Sequence, residues 1–256
     1  MRILPELTPF HHKESQMLRL LIVASLLSPI SVMAETINAP SVKAGDSWVY
    51  RVTTERGPQG WVQNNQDVSV DHVDATTIFL SVKQSGSQQA PIEQLVDADW
   101  SRSRDINGKQ QVVNRPFAFP LELGKKWEVK YTEANPNRQH LSESFQTGYT
   151  VVGWEDVEVP AGKFKALKIE AEGNWTAVVA PANQVAAQAL NTPGSSAVLM
   201  QSNHVTPHTA SGRTYAAFWY VPSVKRFVKS IEEYYSSKGI RSERYTNELV
   251  SDKVST

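Results

Sequence analysis

The 256-residue sequence contains no cysteine. This absence excludes a disulfide framework, a metal site built on thiolates and a catalytic thiol. It also excludes the lipid anchor of bacterial lipoproteins, which needs a cysteine just after the export signal. Stability must therefore come from an ordinary hydrophobic core, which a chain of this length can form.

The sequence also lacks an excess of charge of either sign, since 26 basic residues balance 26 acidic ones. A neutral chain exerts no long-range attraction on nucleic acid, so we expect no nucleic-acid partner. The nearest approach to a basic cluster is formed by Lys225, Arg226 and Lys229. In a β protein we expect these three to lie on the outer face of a strand.

Residues 17–34 contain an apolar run that predicts a secretory signal peptide. Arg19 supplies its positive start, and the small residues at its end fit cleavage between Ala34 and Glu35. The run is too short to cross a bilayer, which takes roughly 20 apolar residues. We therefore expect export to the periplasm and no transmembrane segment in the mature chain.

The residues before Met17 show no apolar periodicity. Translation from Met17 gives the compact signal that the export machinery reads, whereas translation from Met1 gives an unusually long leading region. Both starts fit the sequence. We expect 1–34 to be an extension plus signal, and 35–256 to be a single β-rich domain.

The mature part consists of short segments rich in valine, threonine and aromatic residues, separated by glycine and proline, which is typical of strands. In the segment 47–55, Trp48, Tyr50 and Val52 occupy alternate positions and share one face of the predicted strand. Further strands are predicted at 67–73, 76–83, 126–133, 143–159, 163–172, 215–220, 225–235 and 240–250. Long helical periodicity is absent, so the fold class is predicted to be all-β and mainly antiparallel.

The segment Val-Pro-Ala-Gly at 159–162 predicts a tight turn. Proline fixes φ at the second position, and glycine accepts a positive φ at the fourth. In the strand that follows, Phe164 is out of phase with Leu167. Because strand side chains alternate with a period of two, a β-bulge is expected near Ala166.

A weak internal echo relates 45–53 to 124–132, each a glycine turn that leads into a strand with a tryptophan. One interpretation is an ancient duplication with halves at about 40–120 and 121–252. The other is a device common to many β proteins. Both place the two tryptophans in the core.

Tryptophan is abundant and is the candidate residue type for ligand contact. Core burial is expected for Trp48, Trp127 and Trp219, because indole rings fill β-protein interiors readily. Trp61 and Trp100 lie in polar surroundings. They are therefore expected to be exposed and are the candidate ligand-binding residues, through stacking on sugars or packing on acyl chains.

The segment 179–212 contains no Asp, Glu, Lys or Arg. Its residues at 185, 186, 189 and 190 have helical spacing, which leaves a short helix open. One interpretation is a flexible insertion, since loops of this length are often mobile or functional. The other is a lid that lays apolar residues over a cavity.

Motifs for catalysis and cofactors are missing. The sequence has no Gly-x-Ser-x-Gly elbow, phosphate loop or dinucleotide fingerprint, so no catalytic residue and no cofactor are predicted. His204 and His208 are four residues apart, but Pro207 between them opposes a helix. Polar surface histidines are the expected interpretation, a loop-borne metal site is the alternative, and no metal ligand is assigned.

Neighbouring carboxylates occur at Glu155, Asp156 and Glu158. Glycoside hydrolysis needs two carboxyl groups facing each other across a cleft. These three are neighbours on one predicted strand, so Asp156 and Glu158 are expected to form a solvated face instead.

The segments 153–169 and 219–229 carry a resemblance. The first contains Val-Pro-Ala-Gly-Lys-Phe-Lys-Ala-Leu-Lys, the second Trp-Tyr-Val-Pro-Ser-Val-Lys-Arg-Phe-Val-Lys, and Glu-Leu at 248–249 ends the pattern. Over 124–252 the chain resembles an uncharacterised group of bacterial envelope proteins. The resemblance implies a curved antiparallel sheet, akin to the half-barrels of lipoprotein carriers, and implies no catalytic residues.

These observations predict a strongly curved sheet or incomplete barrel. The expected function is that of a non-catalytic, exported envelope protein that binds a lipid, another hydrophobic ligand or an envelope protein partner. The alternative is a carbohydrate-binding or hydrolytic periplasmic enzyme.

Overall fold

The computed structural model describes residues 36–181, 183–192, 195–204 and 206–256, with backbone alone for the second and third of these ranges. The expected signal at 17–34, the choice of start and the cleavage between Ala34 and Glu35 lie outside the described residues and remain predictions.

The described residues form strands joined by turns, with two short 3-10 turns at Gly57–Gln59 and Pro222–Val224. The strands are β1 (Ser47–Glu55), β2 (Trp61–Val73), β3 (Thr77–Gln84), β4 (Ile92–Asp97), β5 (Arg102–Ile106), β6 (Lys109–Asn114), β7 (Lys126–Ala134), β8 (His140–Val159), β9 (Gly162–Val179), β10 (Asn183–Thr192), β11 (Ser195–His204), β12 (His208–Val221), β13 (Arg226–Ser236) and β14 (Arg241–Lys253). The predicted all-β class is confirmed.

Ten strands form one antiparallel sheet in the order β4-β3-β2-β1-β14-β13-β12-β9-β8-β7. The edges are β4 and β7, which do not pair with each other, so the sheet is not closed into a barrel. The hairpins β5–β6 and β10–β11 each form a separate two-stranded sheet. Whether 40–120 and 121–252 are duplicated halves remains a prediction.

The sheet is strongly curved, as predicted. The backbone N–H of Ala161, in the turn between β8 and β9, donates to the carbonyl of Leu249 in β14 at 2.9 Å. In the sheet, β12 and β13 lie between β9 and β14, so the contact requires the sheet to curl. Register shifts, one of them between Trp219 and Tyr220, mark β-bulges, which bend and twist a strand.

The predicted turn at 159–162 is confirmed, because Val159 pairs with Gly162 and Gly162 has a φ of 132°. The predicted position of the bulge is wrong. The register shift lies on β8, between Val151 and Gly153. Both Ala166 and Leu167 on β9 are buried. Since both faces of β9 are covered at this level, consecutive apolar residues are accommodated without a bulge.

The segment between β4 and β7 covers one face of the sheet. Because these two strands lie at opposite edges, the chain from Ala98 to Lys125 must cross the sheet, and we name this segment the crossover. Its Phe117 is fully buried, with ring centroids 4.9 Å from Tyr220 and 6.1 Å from Phe218. The concave face is therefore filled in part by the protein's own side chains.

The expectation of a short helix within 179–212 is wrong for the described backbone. Strands β10 and β11 form an antiparallel hairpin from Asn183 opposite His204 to Thr192 opposite Ser195. The ladder between β9 and β12 ends at the pair Val179 and His208. The two chain segments thus leave the sheet side by side, and pairing satisfies their backbone groups. The choice between flexible insertion and lid concerns side chains outside the described part and remains a prediction.

Candidate functional site

Two cavities lie between the inner face of the sheet and the crossover. One has a volume of about 210 Å³ and the other about 160 Å³. Both are lined by Arg102, Asn114 and Glu232, so they are neighbours, and we name them together the concave cleft. Arg226, Trp100 and their neighbours line the larger cavity.

Arg226, the first residue of β13, is surrounded by aromatic rings. Its guanidinium carbon lies 4.9 to 5.5 Å from the ring centroids of Trp48, Tyr50, Trp100 and Phe227. At these distances a cation is attracted to each ring face. Burial lowers the pKa of Arg226 from its ordinary value, but a guanidinium remains charged in proteins.

One nitrogen of this guanidinium is left without a partner. The Nη1 atom of Arg226 is buried and forms no hydrogen bond with any residue that the structure describes. An unsatisfied buried donor costs about 1–3 kcal/mol, and more when it is charged. The aromatic rings hold the cation in place but offer no acceptor for this N–H.

Glu232 is the acidic residue of the cleft that has no ion-pair partner, since Glu233 beside it pairs with Arg241. It lies on β13 opposite Ala216 of β12 and Tyr245 of β14. Ala216 in turn faces Ala171 of β9, and these small side chains leave the space of the smaller cavity. Burial raises the pKa of Glu232, an effect that the charge of Arg102 partly offsets.

Arg102 lies at the start of β5 on the crossover and is exposed. Its charge lowers the pKa of both Arg226 and Glu232. Within the described ranges, neither the side chain of Arg102 nor that of Glu232 makes a hydrogen bond or ion pair. The cleft therefore combines two cations and one carboxylate that are not closed into pairs.

Such a site is suited to an anionic group attached to an apolar part. The planar guanidinium matches carboxylate and phosphate oxygens, and the aromatic rings offer apolar contact. The two cavities are smaller than the roughly 300–1,000 Å³ of pockets for drug-sized ligands. The cleft thus fits a small molecule or one short chain better than a diacyl lipid.

The expectation that Trp100 is exposed is wrong, because its side chain is 5% exposed. Trp100 has a φ of 65° in a turn after β4, and this backbone turns the indole inward. There Nε1 donates to the carbonyl of Lys225 at 3.0 Å, and the ring meets Trp48 edge to face. The polar neighbours Asp99 and Ser101 hydrogen-bond to each other instead. Trp100 still lines the larger cavity, and its role in binding remains a prediction.

The indole of Trp61 is 66% exposed, as expected. It lies at the start of β2, beside an open cavity of about 490 Å³ that is separate from the concave cleft. The three tryptophans that were expected in the core differ in how deeply they are buried. Trp48 is buried as predicted, whereas Trp127 and Trp219 are partly buried and pack against the core.

The neighbouring carboxylates at 155–158 alternate along β8, so Glu155 lies on the outer face of the sheet and Glu158 on the opposite one. Glu155 is 3.2 Å from Lys168 Nζ and accepts from Nε1 of Trp219 at 2.9 Å. Glu158 is 3.6 Å from Lys163 Nζ. These partners occupy both carboxylates, which fits the expected solvated face.

The described residues contain neither a candidate metal site nor a candidate membrane-spanning helix. Among the described residues, no group of three or more histidine, aspartate or glutamate side chains is placed to hold a metal ion. His204 ends β11 and His208 begins β12. In the same ranges, no helix is long and apolar enough to cross a bilayer.

Sequence reasoning missed Arg226, which was expected on the outer face with Lys225 and Lys229. Lys225 is buried and pairs with Asp46 at 2.9 Å, and Lys229 alone pairs on the outer face. The 3-10 turn Pro222–Val224 and a positive φ at Lys225 reset the alternation at the start of β13. Proline three residues before Lys225 was the available signal.

The known proteins found to be similar to this chain are solved structures. No protein-family model matches the sequence, and no curated protein matches it significantly. A candidate lipoprotein from Parabacteroides distasonis has a TM-score of 0.43 and 14% identity, with 86% of this chain and 100% of that chain covered.

Two further solved structures are similar in the same way. A candidate exported protein with a YmcC-like fold from Bacteroides fragilis has a TM-score of 0.40 and 14% identity over 86% of this chain and 100% of that one. The hypothetical lipoprotein YmcC from Escherichia coli has a TM-score of 0.30 and 10% identity over 80% and 84%. With TM-scores below 0.5, these likenesses carry no argument about function.

Proposed function

We propose that this protein is a non-catalytic binding protein of the bacterial envelope, and that the concave cleft takes a small ligand with an anionic group and an apolar part. The observation that carries the proposal is the unpaired Nη1 of Arg226 inside a ring of four aromatic side chains. A ligand oxygen supplies the missing acceptor.

The charges of the cleft favour an anion. Two carboxylates line the cleft, and Glu233 is paired with Arg241. Arg102 and Arg226 therefore oppose one unpaired carboxylate, that of Glu232, and burial raises the pKa of that carboxyl group. When Glu232 is protonated, it no longer repels an anionic ligand and donates a hydrogen bond to it. Anion affinity is therefore expected to rise as the pH falls through the pKa of Glu232.

The apolar part of the ligand is expected to be short. The two adjoining cavities of about 210 and 160 Å³ are bounded by Phe117 and its neighbours on the crossover. This narrows the sequence-based expectation of a lipid or hydrophobic ligand to a molecule with a single short chain. Placement in the periplasm rests on the predicted signal at 17–34.

Calorimetric titration with octanoate, and with octylamine as the cationic counterpart, tests the proposal. Octanoate is expected to bind and octylamine is not. Arg226→Gln is expected to weaken octanoate binding roughly 10- to 100-fold, because a hydrogen bond to a charged group contributes about 1.5–3 kcal/mol. Quenching of tryptophan fluorescence is a second readout, since Trp48 and Trp100 surround Arg226.

Arg51→Gln is the matched control, because Arg51 is a paired arginine on the outer face. It is expected to leave octanoate binding unchanged. Circular dichroism and thermal unfolding establish that both variants are folded. Failure of octanoate to bind, or equal affinities for octanoate and octylamine, contradicts the proposal, as does a folded Arg226→Gln variant that binds as the parent does.

A further inference from the structure

Two hairpin tips lie side by side at one end of the sheet. The tip 56–60 joins β1 to β2, and the tip 237–240 joins β13 to β14. They are neighbours because β1 pairs with β14, with Glu55 opposite Arg244. The first tip also lies close to the start of β14, since Gly57 is next to the carbonyl oxygen of Ser242.

These adjacent tips expose large apolar side chains. Trp61 is 66% exposed, Val62 65% and Ile240 65%. Single exposed apolar residues are normal on a protein surface, but a cluster of them marks a contact surface. Trp61 and Val62 lie on opposite faces of β2, so the apolar groups surround the tip.

The charge of the tips is positive. Arg56 and Lys238 are both exposed, and neither tip contains an acidic residue. The nearest carboxylates are engaged behind them: Glu55 lies 2.9 Å from Arg241, and Glu243 accepts a hydrogen bond from Tyr245. Tryptophan and aliphatic groups beside exposed basic groups match the boundary layer of a membrane with anionic lipids.

We propose that the tips 56–60 and 237–240 form a docking surface for an anionic lipid bilayer. Trp61, Val62 and Ile240 enter the headgroup boundary, where an indole ring is favourable. Arg56 and Lys238 contact the anionic headgroups. This surface does not depend on the concave cleft, so each proposal stands or falls on its own.

Co-sedimentation of the protein with vesicles tests this surface. Binding is expected to vesicles of phosphatidylcholine with 30% phosphatidylglycerol, and much weaker binding to phosphatidylcholine alone. Each basic residue near an anionic surface contributes roughly fivefold, so the double variant R56Q/K238Q is expected to bind about 25-fold more weakly. Raising the salt concentration is expected to weaken binding by the parent protein.

A second double variant, W61S/I240S, removes apolar contact and keeps the charges, and it is also expected to lose at least tenfold in vesicle binding. Leu123→Ser is the matched apolar control and K126Q/K163Q the matched charge control, since these residues are exposed and lie away from the tips. The controls are expected to bind vesicles like the parent.

Absence of binding to anionic vesicles overturns the proposal, and so does binding that neither tip variant reduces. Trp61 also borders the open cavity of about 490 Å³, whose lining includes Gln63 and Arg241. Binding of an oligosaccharide that Trp61→Ser abolishes, without vesicle binding, would assign the surface to sugar and refute the lipid assignment. Octanoate titration of the same variants shows that the cleft is intact.

Discussion

Charged side chains on the two faces of the sheet differ in whether they form ion pairs. On the outer face, a row of charged side chains crosses β1, β14, β13, β12, β9 and β8, and its members are in contact. The pairs are Arg51–Glu248 at 2.7 Å, Lys229–Glu248 at 3.2 Å, Lys168–Glu170 at 2.9 Å and Lys168–Glu155 at 3.2 Å. Trp219 lies between the two lysines, with its ring centroid 5.9 Å from Lys229 Nζ and 5.5 Å from Lys168 Nζ.

On the concave face, the charges of Arg226 and Glu232 are separate from each other. Arg226 meets aromatic rings, and its Nη1 has no acceptor in the described part of the chain. The pKa shifts follow this difference. Burial raises the pKa of Glu232, whereas at Glu248 burial is outweighed by hydrogen bonds from Arg51 and Lys229, which lower its pKa.

The difference in pairing distinguishes charges that stabilise the fold from charges that are proposed to bind a ligand. Paired charges on a sheet surface add modestly to stability and fix strand register. Buried charges without partners cost stability, which is the reason for proposing that those in the cleft bind a ligand. The clearest tests compare matched residues on the two faces.

The largest expected effect concerns the packing of the crossover on the concave face. Phe117→Ala is expected to lower the free energy of unfolding by about 3–5 kcal/mol, because it leaves a cavity where a fully buried ring was. On the outer face, Trp219→Ala is expected to cost about 1 kcal/mol, chiefly through the lost cation–π contacts. Urea denaturation of both variants measures the contrast, and equal losses would show that the crossover does not seal the concave face.

The next effect is a stabilisation. Glu232→Gln is expected to raise the melting temperature at pH 7 by about 2–4 °C, the change that about 1 kcal/mol produces in a domain of this size. The folded pKa of Glu232 is raised from the ordinary 4.5, so its contribution to stability is complete below that value and is lost as the pH rises through the folded pKa. The advantage of glutamine should therefore vanish below pH 4.5.

A melting temperature at pH 7 that is unchanged or lowered by Glu232→Gln would mean that Glu232 has a partner in solution. The interpretation of an unpaired carboxylate would then be withdrawn. Calorimetric scans from pH 3.5 to pH 8 supply both the sign and the pH window.

The smallest effect has the opposite sign. Glu248→Gln is expected to lower the free energy of unfolding at pH 7 by about 1 kcal/mol, since it weakens two surface ion pairs. The folded pKa of Glu248 lies below 4.5, so its contribution is present above that value and is lost as the pH falls through the folded pKa. High salt is expected to shrink the effect, and thermal scans at two salt concentrations measure it.

Local patterns predicted the strands well. The segment 47–55 was expected as a strand with Trp48 and Tyr50 on one face, and β1 covers the same residues with both buried. The turn at 159–162 was predicted from proline and glycine. Alternation and turn chemistry act over a few residues, so a single sequence contains them.

Predictions that depend on distant residues were less successful. Trp100 was expected to be exposed because its neighbours are polar, but the chain folds its ring against Trp48, 52 positions away in the sequence. The bulge expected near Ala166 is absent there because both faces of β9 are covered. Burial by a segment remote in sequence leaves no local pattern.

The insertion shows how neighbours override a local preference. Spacing at 185–190 left a short helix open. The ladder of β9 and β12 instead brings two antiparallel chain segments side by side, and they continue as the pair β10 and β11. Propensity over a few residues is a weak influence when unsatisfied backbone groups of a neighbouring segment are within reach.

The sequence by itself determined the all-β class, most strands of the main sheet and the turn at 159–162, because alternation and turn residues act locally. It did not predict β4, β5 or β6. It also excluded thiol chemistry, since no cysteine is present. Tertiary structure alone decided which charges are paired. The sheet order places β4 and β7 at opposite edges, so the chain must cross the sheet between them. The crossover covers the concave face and encloses Arg226 and Glu232 in a cleft. They are therefore kept away from ion-pair partners such as those that Glu248 has on the outer face.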